Sequence, residues 1–135
     1  DDQIIFSLID SSFEKTEVSD AWIVPANPKY YDVVGAFEKE SVIDWKQSSD
    51  IHPGDIVYLY VAEPYSAVLY KCEALETDIP FEYKDRYVSM NRLMRIRLLK
   101  KYPKEKYPFR YLNEIGIRAV RGPRRIRKET AEKLD

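Results

Sequence analysis

The residue types that usually carry chemistry are scarce in this chain. One histidine and one cysteine are present, so the common neutral-pH base and the common soft nucleophile each occur once. His52 precedes Pro53 in a stretch that reads as a loop, where a lone imidazole faces solvent. Cys72 falls on an apolar strand position and reads as a small buried residue rather than a reactive thiol. A single thiol also excludes an internal disulfide and any multi-cysteine metal site. Carboxylates pair at Asp1 with Asp2 and at Glu38 with Glu40, but in no metal-ligand spacing, and the four glycines form no phosphate-cradling loop. No catalytic set, no metal site and no cofactor are expected. What the chain has in excess is rings: 11 Tyr, 2 Trp and 5 Phe. Planar rings stack a nucleobase while hydroxyl and indole groups bond its edge, and rings interleaved with Arg and Lys are a nucleic-acid pattern once they converge on one cleft.

The second half of that pattern is a charge segregation. A net charge of −1 conceals 7 Lys/Arg against 18 Asp/Glu in residues 1–90 and 15 against 5 in residues 91–135. Arg118, Arg121, Arg124, Arg125 and Arg127 are the candidate phosphate contacts, because clustered guanidinium groups form a local polyanion patch. The competing reading is that they balance the acidic first part within one fold.

These residues need elements to hold them. With 135 residues and 44% hydrophobic composition the chain suits one core. The organising stretch runs from Pro53 to Leu75. Residues 56–62 form an unbroken apolar run, the mark of a strand covered on both faces. Glu63-Pro64-Tyr65-Ser66 turns the chain, and residues 67–75 return. Alternation places Val68, Tyr70, Cys72 and Ala74 on one face of the return strand. Before this hairpin, residues 1–14 carry a helical stripe (Ile4, Ile5, Leu8, Ile9, Phe13), residues 21–26 form a strand, a short helix follows from Lys29, and residues 41–47 form a second strand. After it, residues 77–90 read as a long loop. Residues 91–101 alternate as a strand with a basic face, and residues 108–115 form a helix closed by Gly116. A closing strand is expected at residues 117–120, and a terminal helix after Gly122-Pro123. The fold class is α+β, a pseudobarrel of about five mostly antiparallel strands with short flanking helices. Residues 1–20 form an N-terminal helix and linker, and residues 21–135 the domain. With no apolar run near 18 residues and no leader, a soluble, cytoplasmic protein with no membrane partner is expected.

The order of residues resembles the EVE domain of the PUA-like superfamily. The resemblance rests on Trp22-Ile23-Val24-Pro25-Ala26-Asn27-Pro28, the Trp-bearing Ile43-Asp44-Trp45-Lys46, the strand Gly54-Asp55-Ile56-Val57-Tyr58-Leu59-Tyr60, the returning Ala67-Val68-Leu69-Tyr70-Lys71-Cys72-Glu73, and a Gly-Pro-Arg turn after a late basic strand. It implies a PUA-like pseudobarrel without chemistry of its own, a nucleic-acid-binding module whose cleft accepts a base of DNA or RNA, often modified. The pocket residues it implies are Trp22, Asn27, Trp45, Gln47, Tyr60 and Tyr65. Related ASCH domains imply a rival, a hydrolase of modified nucleosides using Lys46 with Asp44 or Glu73. A protein-interaction domain is the third alternative. Leu8-Ile9-Asp10-Ser11-Ser12-Phe13 is similar to the closing helix of MmcQ/YjbR-type DNA-binding domains, which implies that such a domain precedes this segment in a longer chain.

Overall fold

The computed structural model describes residues 19–135. The helix expected at residues 1–14, and the resemblance carried by Leu8 to Phe13, lie outside the described residues.

Six strands form one sheet. They are β1 (Ala21–Ala26), β2 (Val42–Lys46), β3 (Ile56–Val61), β4 (Ala67–Lys84), β5 (Ser89–Lys101) and β6 (Arg124–Ile126). The order across the sheet is β2-β5-β4-β3-β1-β6. Only β1 with β3 is parallel; the other four pairings are antiparallel. Among the described residues three short helices complete it: α1 (Val33–Lys39), α2 (Phe109–Glu114) and α3 (Lys128–Glu132). Among the described residues no helix is long and apolar enough to cross a membrane.

The β3–β4 hairpin lies at the middle of the sheet, where its apolar run requires it to be, because both faces are covered. On one face Trp22, Val24, Val57, Leu59, Cys72 and Ile96 pack under α1 through Val33 and Phe37. On the other, Ile23, Tyr58 and Val68 pack with Leu112 and Leu134 beneath α2 and α3. Each fully buried Val, Leu or Ile contributes about 1.5–3 kcal/mol. Asp32 caps α1, its carboxylate accepting from the Gly35 amide at 3.0 Å. Gly54, with φ +95°, makes the tight entry to β3.

Three sequence expectations are corrected. First, residues 77–90 are not a loop: β4 continues to Lys84 and β5 starts at Ser89, so a four-residue tip closes a long hairpin. Ladder bonds to β5 hold this arm although both its faces are wet. Second, Val68 does not share a face with Tyr70. The pairing slips between Leu59/Tyr60 and Tyr70/Val68, and this bulge sends Val68 into the second core while Tyr70 and Cys72 stay in the first. Third, the closing strand is Arg124–Ile126, not residues 117–120. Ile117 is buried without a strand, its amide bonded to the Leu112 carbonyl at 2.8 Å beneath α2.

Candidate nucleic-acid interface

An aromatic recess of about 350 Å³ opens where three segments meet. The end of β1 and the following turn supply Pro25, Ala26, Asn27, Tyr30 and Tyr31; β2 supplies Asp44, Trp45 and Lys46; the β4–β5 arm supplies Tyr83, Asp85, Val88, Met90 and Leu93. Trp45 stands opposite Met94 in the β2–β5 register, half-buried at its base. Tyr31 meets it edge-to-face at 5.4 Å between ring centres. Burial, then the nearby Asp44, Asp32 and Glu40 carboxylates, push the Tyr31 phenol above its ordinary pKa, so it remains a donor at neutral pH.

The β4–β5 arm reaches this place because it is bent and pinned. Register shifts between Ala74 and Tyr83 interrupt its ladder and increase its twist. Asp78 takes a left-handed conformation at φ +56°, which Asp tolerates, and its amide donates to Gln47 Oε1 at 2.7 Å. Gln47 Nε2 donates in turn to the Ser49 carbonyl at 3.0 Å. At the tip, Asp85 accepts from the Tyr83 hydroxyl at 2.7 Å and from the Tyr87 and Val88 amides at 2.8 Å each. Those bonds, the Tyr83 one foremost, hold its carboxyl below the usual carboxylate range. The tip then lies against the β1–α1 turn through a stacked Tyr30–Tyr87 pair, 5.3 Å apart and 21° from parallel.

Of the six pocket residues inferred from sequence, the structure brings two together in this recess, Asn27 and Trp45. Asn27 is exposed, and its Oδ1 accepts from the Lys29 amide at 2.9 Å, which leaves its NH₂ as the donor of that side chain. Trp22 is 5% exposed in the first core, its indole Nε1–H donating to Asp55 Oδ2 at 3.0 Å. Gln47 is buried and occupied with the arm's root. Tyr60 lies on the other side of the sheet beside Phe109, at 6.2 Å between ring centres. Tyr65 packs against the first core. Asp55 itself went unread as a keystone: buried, it accepts from the Asp20 amide (3.1 Å), the His52 amide (2.9 Å) and Trp22. Its place between Gly54 and an apolar strand is the signal that was available.

The five arginines separate into two groups. Arg125 is committed, its Nε 3.4 Å from Asp20 and its guanidinium 4.8 Å above the Trp22 ring. Arg118, Arg121, Arg124 and Arg127 are exposed and make no ion pair among the described residues. Since β6 runs antiparallel to β1 with Arg124 opposite Ile23, the chain entering β6 comes from the Ala26 end of β1, the end that lines the recess. The basic face of β5 is neutralised internally: Arg92 pairs with Asp78, Arg95 with Asp44 and Glu76 (3.2 Å each), Arg97 with Glu73. Lys46 and Asp44 both line the recess, whereas Glu73 borders a different one. That second recess, about 530 Å³, is larger but sets four carboxylates, Asp20, Glu73, Glu132 and Asp135, against the one cation Lys128 in its lining, a balance unsuited to a phosphate chain. His52 is exposed, 3.7 Å from Asp50, and Cys72 is buried with its thiol pKa pushed up by burial. Among the described residues no group of acidic, His and Cys side chains is arranged to hold a metal.

No protein-family model matches the chain, and no curated protein matches it in sequence. Solved structures do match in shape. Human THYN1, in complex with 5-methylcytosine-containing DNA, superposes with a TM-score of 0.62 at 7% identity, over 86% of this chain and 95% of that one. A hypothetical protein from Leishmania major gives 0.63 at 11%, over 88% and 94%. The ASCH protein of Zymomonas mobilis gives 0.58 at 11%, over 85% and 93%. The likeness is one of fold, and the fold is the PUA-like pseudobarrel.

Proposed function

We propose that this domain is a nucleic-acid-binding module of the EVE type that takes one nucleobase, modified or not, into the recess between Asn27, Tyr31 and Trp45. The observation that carries this reading is a recess near the lower size limit of small-ligand sites, walled by rings and edged by a few polar groups. Trp45 and Tyr31 supply the stacking surface. The Asn27 amide donates and the Asp44 carboxylate accepts, a pair suited to a base edge that presents an acceptor beside an exocyclic amine, as cytosine and adenine do. Phosphates are left to Arg118, Arg121 and Arg124, which lie outside the recess. The complex of a similarly folded human protein with 5-methylcytosine-containing DNA supports the choice of partner. Titrating the domain with single-stranded and duplex DNA and RNA, each with cytosine or 5-methylcytosine, tests the reading. Binding that Trp45→Ala weakens about 5- to 150-fold is the expected result. Binding that survives Trp45→Ala unchanged removes the recess from the account.

A further inference from the structure

We infer that the Tyr30–Tyr87 stack at the rim is a second nucleobase site, taking the base next in the strand to the one held in the recess; this rests on the nucleobase reading of the recess. Tyr30 belongs to both places, lining the recess and stacking on Tyr87. Neither ring is needed by a core: Tyr30 is 51% and Tyr87 63% exposed, and both are absent from the two buried clusters. Two large rings held parallel in water are an unusual use of surface, and they match the stacking platforms on which successive bases of a single strand lie. Two cations stand beside the stack for a phosphate chain. The Arg86 guanidinium sits 5.9 Å from the centre of the Tyr87 ring, and Lys84, exposed at the end of β4, has no ion pair among the described residues. Asp85, the acid of this tip, is turned to the Tyr83 hydroxyl and two amides. A base can use this platform only when unstacked from its own helix, so the site favours a single strand, or a duplex opened beside the captured base.

A merely structural Tyr30–Tyr87 latch would show the same ring contact, so the test must separate the two. Single-stranded DNA pentanucleotides with a central 5-methylcytosine are titrated in two forms, one with thymine and one with abasic sites on both sides of it. The parent should bind the thymine-flanked strand about 5- to 150-fold more tightly than the abasic one. Tyr87→Ala should bind both at the weaker level, Tyr87→Phe should behave as the parent, and Trp45→Ala should weaken both strands. Equal affinity of the parent for the two strands overturns the platform, as does a Tyr87→Ala loss of the same size on both, which is the signature of a latch. Unchanged binding by Trp45→Ala, or no binding by the parent, overturns the recess reading and the platform with it.

Discussion

Replacing Trp22 by Phe distinguishes a structural tryptophan from a ligand contact. The indole Nε1–H lies 3.0 Å from the buried Asp55 carboxylate, which is 3% exposed and also holds the Asp20 and His52 amides. A buried carboxylate depends on such donors for compensation of its lost hydration. A hydrogen bond to a charged group contributes about 1.5–3 kcal/mol, and the space vacated beside Val24 adds about 1 kcal/mol. Trp22→Phe should therefore lower unfolding free energy by about 2.5–4 kcal/mol, or about 10–16 °C in Tm for a domain of this size. Urea denaturation at constant m-value is the assay. A double-mutant cycle with Asp55→Asn should return a coupling of about 1.5 kcal/mol. Oligonucleotide affinity of the folded variant should equal the parent's. Stability within about 0.5 kcal/mol of the parent, combined with weaker binding, refutes the placement and returns Trp22 to the pocket.

Three further outcomes follow from the same geometry. Gln47→Ala leaves the Asp78 amide without its acceptor and should cost about 1–3 kcal/mol while also weakening binding, because the arm it roots forms one recess wall; urea titration and oligonucleotide binding of the variant check both. Arg121→Ala with Arg124→Ala should flatten the plot of log affinity against log salt by about 1.4–1.8 without changing base preference; Arg125→Ala should instead lower stability, since it faces Asp20 and Trp22. At alkaline pH, burial pushes the Tyr70 phenol up to about 12; a raised folded-state pKa means its contribution is intact below about 10 and is lost as pH rises toward 12, so stability measured by denaturant titration should fall across that window.

The central hairpin was legible because an unbroken apolar run such as Ile56 to Val61 permits only a doubly covered strand of that length. The arm beyond Ala74 was not, since exposed charges and Pro80 imitate a loop; yet Ile79, Phe81 and Tyr83 alternate with Pro80, Glu82 and Lys84, a period-two signal that the ladder to β5 makes real. The bulge at Leu69 leaves no mark in composition, and it alone decides which core receives Val68. The recess shows the same division. Asn27 and Trp45 lie on strands and turns read correctly, so they could be named. Tyr83 and Met90 lie on the arm read as a loop, and they were missed. Trp22 misled because a strand covered on both faces gives no sign of which side leads to solvent, and its partner Asp55 stands 33 residues away.

The chain has two tryptophans, Trp22 and Trp45, hence two indole N–H signals in a proton–nitrogen correlation spectrum, assignable through Trp22→Phe. Adding a 5-methylcytosine-containing single strand should move the Trp45 signal progressively to saturation and leave that of Trp22, held by Asp55, where it was. Movement of Trp22 with Trp45 unmoved, or saturable binding that disturbs neither, contradicts the recess as the place where a base is held.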